Sequence, residues 1–93
     1  MSTITISKAQ GIGTAPYYTG LDVSGTATAG ERVHVHYEIP ASGVMSADLN
    51  TTAGDNGEWK VKFESEFNAG TDITVIASLT DGAKASLDLT LPD

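Results

Sequence analysis

The chain has 93 residues, enough for one hydrophobic core, and it holds twelve acidic residues, five basic residues and no cysteine. The lack of cysteine excludes a disulfide framework and a cysteine-ligated zinc module, and the hydrophobic content of 40% excludes a disordered chain. The formal charge of -7 argues against a nucleic-acid partner, because an acidic chain repels phosphate unless its few basic residues cluster.

Alternation of apolar and polar residues dominates the chain, and this period of two is typical of half-buried strands. Seven segments show it: Thr3–Ser7, Leu21–Gly25, Val33–Ile39, Met45–Asn50, Trp59–Phe63, Ile73–Leu79 and Ala85–Leu91. Glycine, proline and asparagine between these segments indicate turns, and no segment has the apolar spacing of a helix. The pattern predicts an all-β fold, a seven-stranded β-sandwich of two antiparallel sheets that forms a single domain over residues 1–93.

Each predicted strand offers one apolar face to a core shared by both sheets. The predicted core residues are Val33, Val35, Tyr37, Trp59, Val61, Phe63, Val75 and Leu87. Lys60 and Lys62 alternate with core positions, so we expect them to face outward. Charges in such positions protect an edge strand from pairing with another molecule.

Residues 9–19 interrupt this rhythm, and their glycines and Pro16 predict an irregular loop that crosses from the first strand to the second. The loop carries two adjacent tyrosines, Tyr17 and Tyr18. We expect one ring to close the end of the core and the other to stay exposed as a binding residue, because exposed tyrosine is favoured at interfaces. The alternative is that both rings pack locally on the sandwich.

His34, His36 and Glu38 lie at alternate positions of one predicted strand, and so on one face of it. Two imidazoles and a carboxylate are ligands that zinc accepts, which makes the three residues a weak metal candidate. The favoured interpretation is an exposed polar face without a metal, since the sequence offers no fourth ligand. No cofactor is expected.

Asp55-Asn56-Gly57, together with Asp72 and Asp81, could supply oxygen ligands for calcium. The same tripeptide is also a common turn sequence, because asparagine and glycine accept left-handed backbone geometry, and this second interpretation is favoured. Both histidines lie on one predicted strand and no nucleophile motif occurs, so we expect the protein not to be an enzyme.

Three blocks of the sequence resemble bacterial immunoglobulin-like domains. Val23–Val35 is similar to their V-x-G-T-A-x-x-G-x-x-V-x-V opening, Asp55–Val61 to their D-x-N-G-x-W-x-V strand with a spacer one residue shorter, and Gly70–Asp81 to their closing segment. The resemblance implies an immunoglobulin-like sandwich without a disulfide. It also implies a spacer, adhesive or decorating role rather than catalysis.

Domains of this family occur in tandem in secreted bacterial surface proteins and singly on tailed-phage virions. The sequence shows no internal repeat, no signal peptide and no apolar run near the roughly 20 residues that span a bilayer. We therefore expect a phage virion surface protein, bound to a capsid or tail protein and able to contact host-surface carbohydrate, with no membrane insertion. The alternatives are a spacer repeat of a secreted or cell-surface bacterial adhesin, beside neighbouring repeats, and a small carbohydrate-binding module.

Overall fold

The computed structural model describes residues 3–93, which form nine β-strands and no helix. The strands are β1 (Ile4–Thr14), β2 (Tyr17–Ala27), β3 (Arg32–Ile39), β4 (Val44–Met45), β5 (Leu49–Thr52), β6 (Glu58–Phe63), β7 (Phe67–Asn68), β8 (Asp72–Leu79) and β9 (Lys84–Thr90). Met1 and Ser2, which begin the predicted domain, lie outside the described residues. Within residues 3–93 no helix is long and apolar enough to cross a membrane.

The strands form two antiparallel sheets, so the predicted all-β class and the two antiparallel sheets are confirmed. Sheet A has the order β1-β2-β6, and β7 pairs with the start of β2. Sheet B has the order β4-β3-β8-β9, and β5 also pairs with β3. One hydrophobic cluster with side chains from both sheets lies between them.

The core takes one face from each long strand, as the alternation of the sequence requires. Most of the predicted core residues are buried: Val33, Val35, Tyr37, Trp59, Phe63 and Val75. The prediction overstates the burial of Val61 and Leu87, which are half-buried. Val61 lies on β6 and Leu87 on β9, each an edge strand of its sheet.

The predicted irregular loop over residues 9–19 is wrong. The segment forms the ends of β1 and β2, which pair from Ile4 with Ala27 to Thr14 with Tyr17 and turn at the cis Ala15–Pro16 bond. Glycine is required inside the strands by close packing, since a Cβ on Gly11 would lie 2.6 Å from Cδ1 of Tyr18. Gly11 therefore makes room for the Tyr18 ring, whereas Gly13 has a φ of 102°, a backbone conformation that favours glycine.

The predicted strand at residues 45–50 is divided into β4 and β5, with Ser46–Asp48 between them. Ser46 holds this break against β3, because its backbone N–H donates to the carbonyl of Tyr37 at 2.9 Å and its hydroxyl accepts from the Tyr37 N–H at 2.9 Å. The Ser46 side chain thus takes the place of one backbone hydrogen-bond acceptor in the pairing with β3.

Trp59 lies between the two sheets at the point where β2 passes closest to β1. Its indole N–H donates to the carbonyl of Thr26 at 3.1 Å. Gly25 leaves the space for this arrangement, since a Cβ there would lie 2.8 Å from Cζ2 of Trp59 and 1.9 Å from the carbonyl oxygen of Thr5. Only a residue without a side chain allows both contacts.

Candidate binding surface

Three of the five basic residues lie together on the outer face of sheet A. Lys8 on β1 and Lys60 on β6 both pair with Ser24 of β2, so the three form one row across the sheet. The next row has Asp22 between Gln10 of β1 and Lys62 of β6. We call this surface the lysine face, formed by Lys8, Gln10, Asp22, Ser24, Lys60 and Lys62.

A β-bulge places Lys8 on this face. Strict alternation from Ile4 and Ile6, which point toward the core, would turn Lys8 inward. The pairing of β1 with β2 shifts between Ile6 and Lys8, which leaves Ser7 as an extra residue and reverses the alternation. Lys8 is therefore exposed, while Ala9 packs against the core. Bulges commonly redirect a side chain in this way.

The ammonium groups of the lysine face are not neutralised by ion pairs. Within residues 3–93, no carboxylate lies within 4.0 Å of the ammonium group of Lys8, Lys60 or Lys62 as an ion-pair partner. The strands of sheet A carry three lysines, Asp22 and, at the start of β6, Glu58, which together give a formal charge of +1. The exposed Glu64 follows β6 directly, beside Lys62. All other residues of the chain together carry -8, so that the net charge is -7.

A shallow groove adjoins the lysine face and shares Ser24 and Lys60 with it. The groove has a volume of about 660 Å³. Its other polar side chains are Ser7, Thr26, Thr51, Thr52, Asn56 and Glu58. Hydroxyl and amide groups therefore continue the charged surface toward β5. We call this second surface the hydroxyl groove.

The three metal candidates lie on the outer face of β3, but they do not form one site. His34 contacts the side-chain oxygen of Asn50 through Nδ1, and its Nε2 lies 3.5 Å from the Thr80 hydroxyl. His36 lies between two carboxylates, 3.7 Å from Glu38 and 3.6 Å from Asp48. In residues 3–93 no group of three or more histidine, aspartate or glutamate side chains has a geometry that could hold a metal ion.

The aspartates considered for calcium lie on different elements: Asp55 in the turn before β6, Asp72 at the start of β8 and Asp81 in the turn before β9. In the turn before β6, the Asn56 side-chain oxygen accepts from the Glu58 N–H at 3.0 Å. Asp72 accepts from the Thr90 hydroxyl, and Asp81 accepts from the Ala83 N–H at 3.1 Å. The turn interpretation therefore accounts for the Asp55–Gly57 segment.

The two adjacent tyrosines have opposite environments. Tyr17 is 71% exposed at the end of the β1–β2 hairpin, and Tyr18 is 6% exposed in the core. The Tyr18 hydroxyl donates to the carbonyl of Pro92 at 2.6 Å. The expected arrangement of one inward and one outward ring is therefore found, with Tyr18 in the core, where its ring offers no surface to a partner. A binding role stays a prediction for Tyr17.

The sequence predicts that Lys60 and Lys62 face outward. It does not predict that they lie beside Lys8, because this grouping depends on the bulge and on the strand order. No model of a known protein family matches the chain, and no curated protein matches it either. The function therefore has to be inferred from the residues of this chain.

Proposed function

We propose that the chain is a non-catalytic structural and binding module with an immunoglobulin-like sandwich, carried on the capsid or tail surface of a phage virion, where it contacts the host surface. One observation carries the proposal: two of the family-like sequence blocks meet in space. Gly25 and Thr26 of the first block contact Trp59 of the second, through the indole hydrogen bond and the close packing of the ring on Gly25. These residues fit together as parts of one packing motif.

The strand order also supports the immunoglobulin-like assignment. With the two-residue strands set aside, the first, second and fifth strands form sheet A, and the third, sixth and seventh form the main part of sheet B. Immunoglobulin domains divide the same strands in the same way. The fourth strand, β5, pairs with β3 and not with β6, which moves it to the other sheet.

The virion setting is supported by the charge of the chain. A surface component of a particle is present at very high local concentration, and a net charge of -7 favours solubility there.

Particle attachment is the direct test. The tagged chain is expressed during phage growth in its host, and the particles are then purified on a density gradient. We expect the chain to band with particles and to be labelled by antibody on their outer surface. Recovery only at the top of the gradient would contradict the proposal. A reading frame that continues into further such repeats behind an export signal would favour the adhesin spacer instead.

A further inference from the structure

The lysine face concentrates positive charge on an otherwise acidic molecule. The carboxylates of the opposite sheet are separated from it by the core, about 10 Å thick, and by the side chains on either side. The Debye length in physiological salt is about 8 Å, so salt screens those distant carboxylates more than it screens a ligand in direct contact. A negatively charged group at this face therefore interacts mainly with the charges of the face itself, where Lys8, Lys60 and Lys62 outnumber Asp22 and Glu58 of the adjoining groove.

We infer that the lysine face and the adjoining hydroxyl groove bind an acidic polysaccharide whose charged groups are carboxylates or sulfates. The inference rests on the proposed role as a binding module but not on attachment to a virion. The lysines supply charge, and the side chains of Ser24, Thr26 and Asn56 supply donors and acceptors for sugar hydroxyl groups.

The spacing of the lysines suits an extended, charged chain. Lys8 and Lys60 flank Ser24 on adjacent strands, so their Cα atoms are about 10 Å apart, while Lys60 and Lys62 on one strand are about 7 Å apart. These separations are comparable with the distance between charged groups on successive sugars or disaccharides. The paired strands fix the spacing of the lysine Cα atoms, so binding does not have to order the backbone of the site.

The composition of the surface argues against a protein partner or a second copy of the chain. Protein interfaces need buried apolar or aromatic anchors at their centre. The large hydrophobic residues that residues 3–93 expose are Tyr17, Val44 and Met45, and none of them lines the lysine face or the hydroxyl groove.

A nucleic acid also fits poorly. Single strands bind on exposed aromatic stacking platforms. No aromatic side chain lines the lysine face, and Trp59, which borders the hydroxyl groove, is buried. A duplex has a dense row of phosphates, which would meet Asp22 between the lysines and the acidic remainder of the chain. A polysaccharide carries fewer charges per unit length and many hydroxyl groups, which match the groove.

The test is a titration of the whole chain at low salt with three polysaccharides: polygalacturonate, heparin and uncharged dextran. Polygalacturonate carries carboxylates and heparin carries sulfates, so the pair distinguishes the two acidic groups. We expect calorimetric binding of at least one of them and none of dextran. We also expect perturbed amide resonances at Ser24 and Lys60, and affinity that falls steeply with added salt.

A charge-matched pair of variants locates the site. Lys60→Gln/Lys62→Gln removes two charges from the lysine face, while Arg32→Gln/Lys84→Gln removes two exposed charges from sheet B. We expect the first to weaken binding about fivefold or more and the second to change it less than about twofold. The unfolding midpoints of both variants, measured alongside, separate lost binding from lost folding.

Several results would overturn the inference. These are no binding of either acidic polysaccharide, equal loss in both variants, tighter binding of a duplex DNA oligonucleotide at the same amides, or self-association through this face in sedimentation velocity. Failure of particle attachment with retained polysaccharide binding would refute the virion proposal and leave this inference intact.

Discussion

Replacement of Gly25 by alanine tests the packing that unites β1, β2 and Trp59. The new Cβ would lie 1.9 Å from the carbonyl oxygen of Thr5 and 2.8 Å from the Trp59 ring. Carbon–oxygen contacts between strands are ordinarily about 3.3 Å or longer, so the backbone near Thr5 would have to move by about 1.4 Å. A shift of that size lengthens the hydrogen bonds of the ladder beyond their normal range.

The expected loss of stability follows from the interactions that the first residues of β1 would lose. Two ladder hydrogen bonds contribute about 1 kcal/mol each. The half-buried side chains of Ile4 and Ile6 contribute roughly another 1 kcal/mol each through burial. We therefore expect Gly25→Ala to lower the free energy of unfolding by about 3–4 kcal/mol, the larger figure applying if the start of β1 detaches. This is a large part of the total stability of a small domain.

Gly30→Ala is the matched control. Gly30 has a φ of 80°, and nothing lies within 4 Å of an added Cβ, so alanine there costs only the strain of left-handed backbone, about 1–2 kcal/mol. Urea unfolding of both variants is followed by circular dichroism and by the fluorescence of Trp59, the single tryptophan. Equal unfolding midpoints for the two variants would refute the steric argument.

Two further changes test the aromatic contacts. Tyr18→Phe removes the hydrogen bond to Pro92 and should lower the free energy of unfolding in urea by about 1 kcal/mol. Tyr17→Phe, at the exposed ring, is the control and should leave the unfolding midpoint unchanged. Equal loss of stability in the two variants would contradict the assigned environments. Trp59→Ala should cost about 3–5 kcal/mol through the cavity and the unpaired Thr26 carbonyl, and circular dichroism on heating measures it. A cost below about 1 kcal/mol would show that Trp59 is not central to the core.

The strands that could be predicted are those in which alternation is unbroken. Residues 33–39 and 73–79 alternate throughout, and the structure pairs them as neighbours in sheet B. The β1–β2 hairpin could not be predicted in the same way, because Gly11 fills an inward position where alternation shows no apolar residue, and the pairing shifts between Ile12 and Gly13, next to Gly20. Gly11 leaves room for the Tyr18 ring and Gly20 for the carbonyl of Phe63, and the local sequence reveals neither contact.

The lysine face also has positions that could be predicted from the sequence and a position that could not. Lys60 and Lys62 face outward because Trp59 and Phe63 face the core, and this could be predicted from period alone. The position of Lys8 could not, because the bulge at Ser7 has no glycine or other local signal. A shift of one residue in the pairing decides on which face of the sheet a side chain lies.

Long-range contacts were the least predictable features. The Tyr18 hydroxyl reaches a carbonyl 74 residues away, at Pro92. Adjacent tyrosines suggest one inward and one outward ring, but the sequence does not say which. The pairing of Tyr17 with Asn68 and of Tyr18 with Phe67 sets the answer, because it fixes the face on which each ring lies.

The strands of sheet A carry a formal charge of +1 and the rest of the chain carries -8, so the charge of the molecule is asymmetric, with the lysine face on its less negative side. A negatively charged surface repels the molecule because of its net charge, which affects its translation. The field of the same surface also rotates the molecule, because its charge is asymmetric. The protein approaches with Lys8, Lys60 and Lys62 foremost before any contact forms. Reversing those three charges would alter the orientation of each encounter as well as its strength.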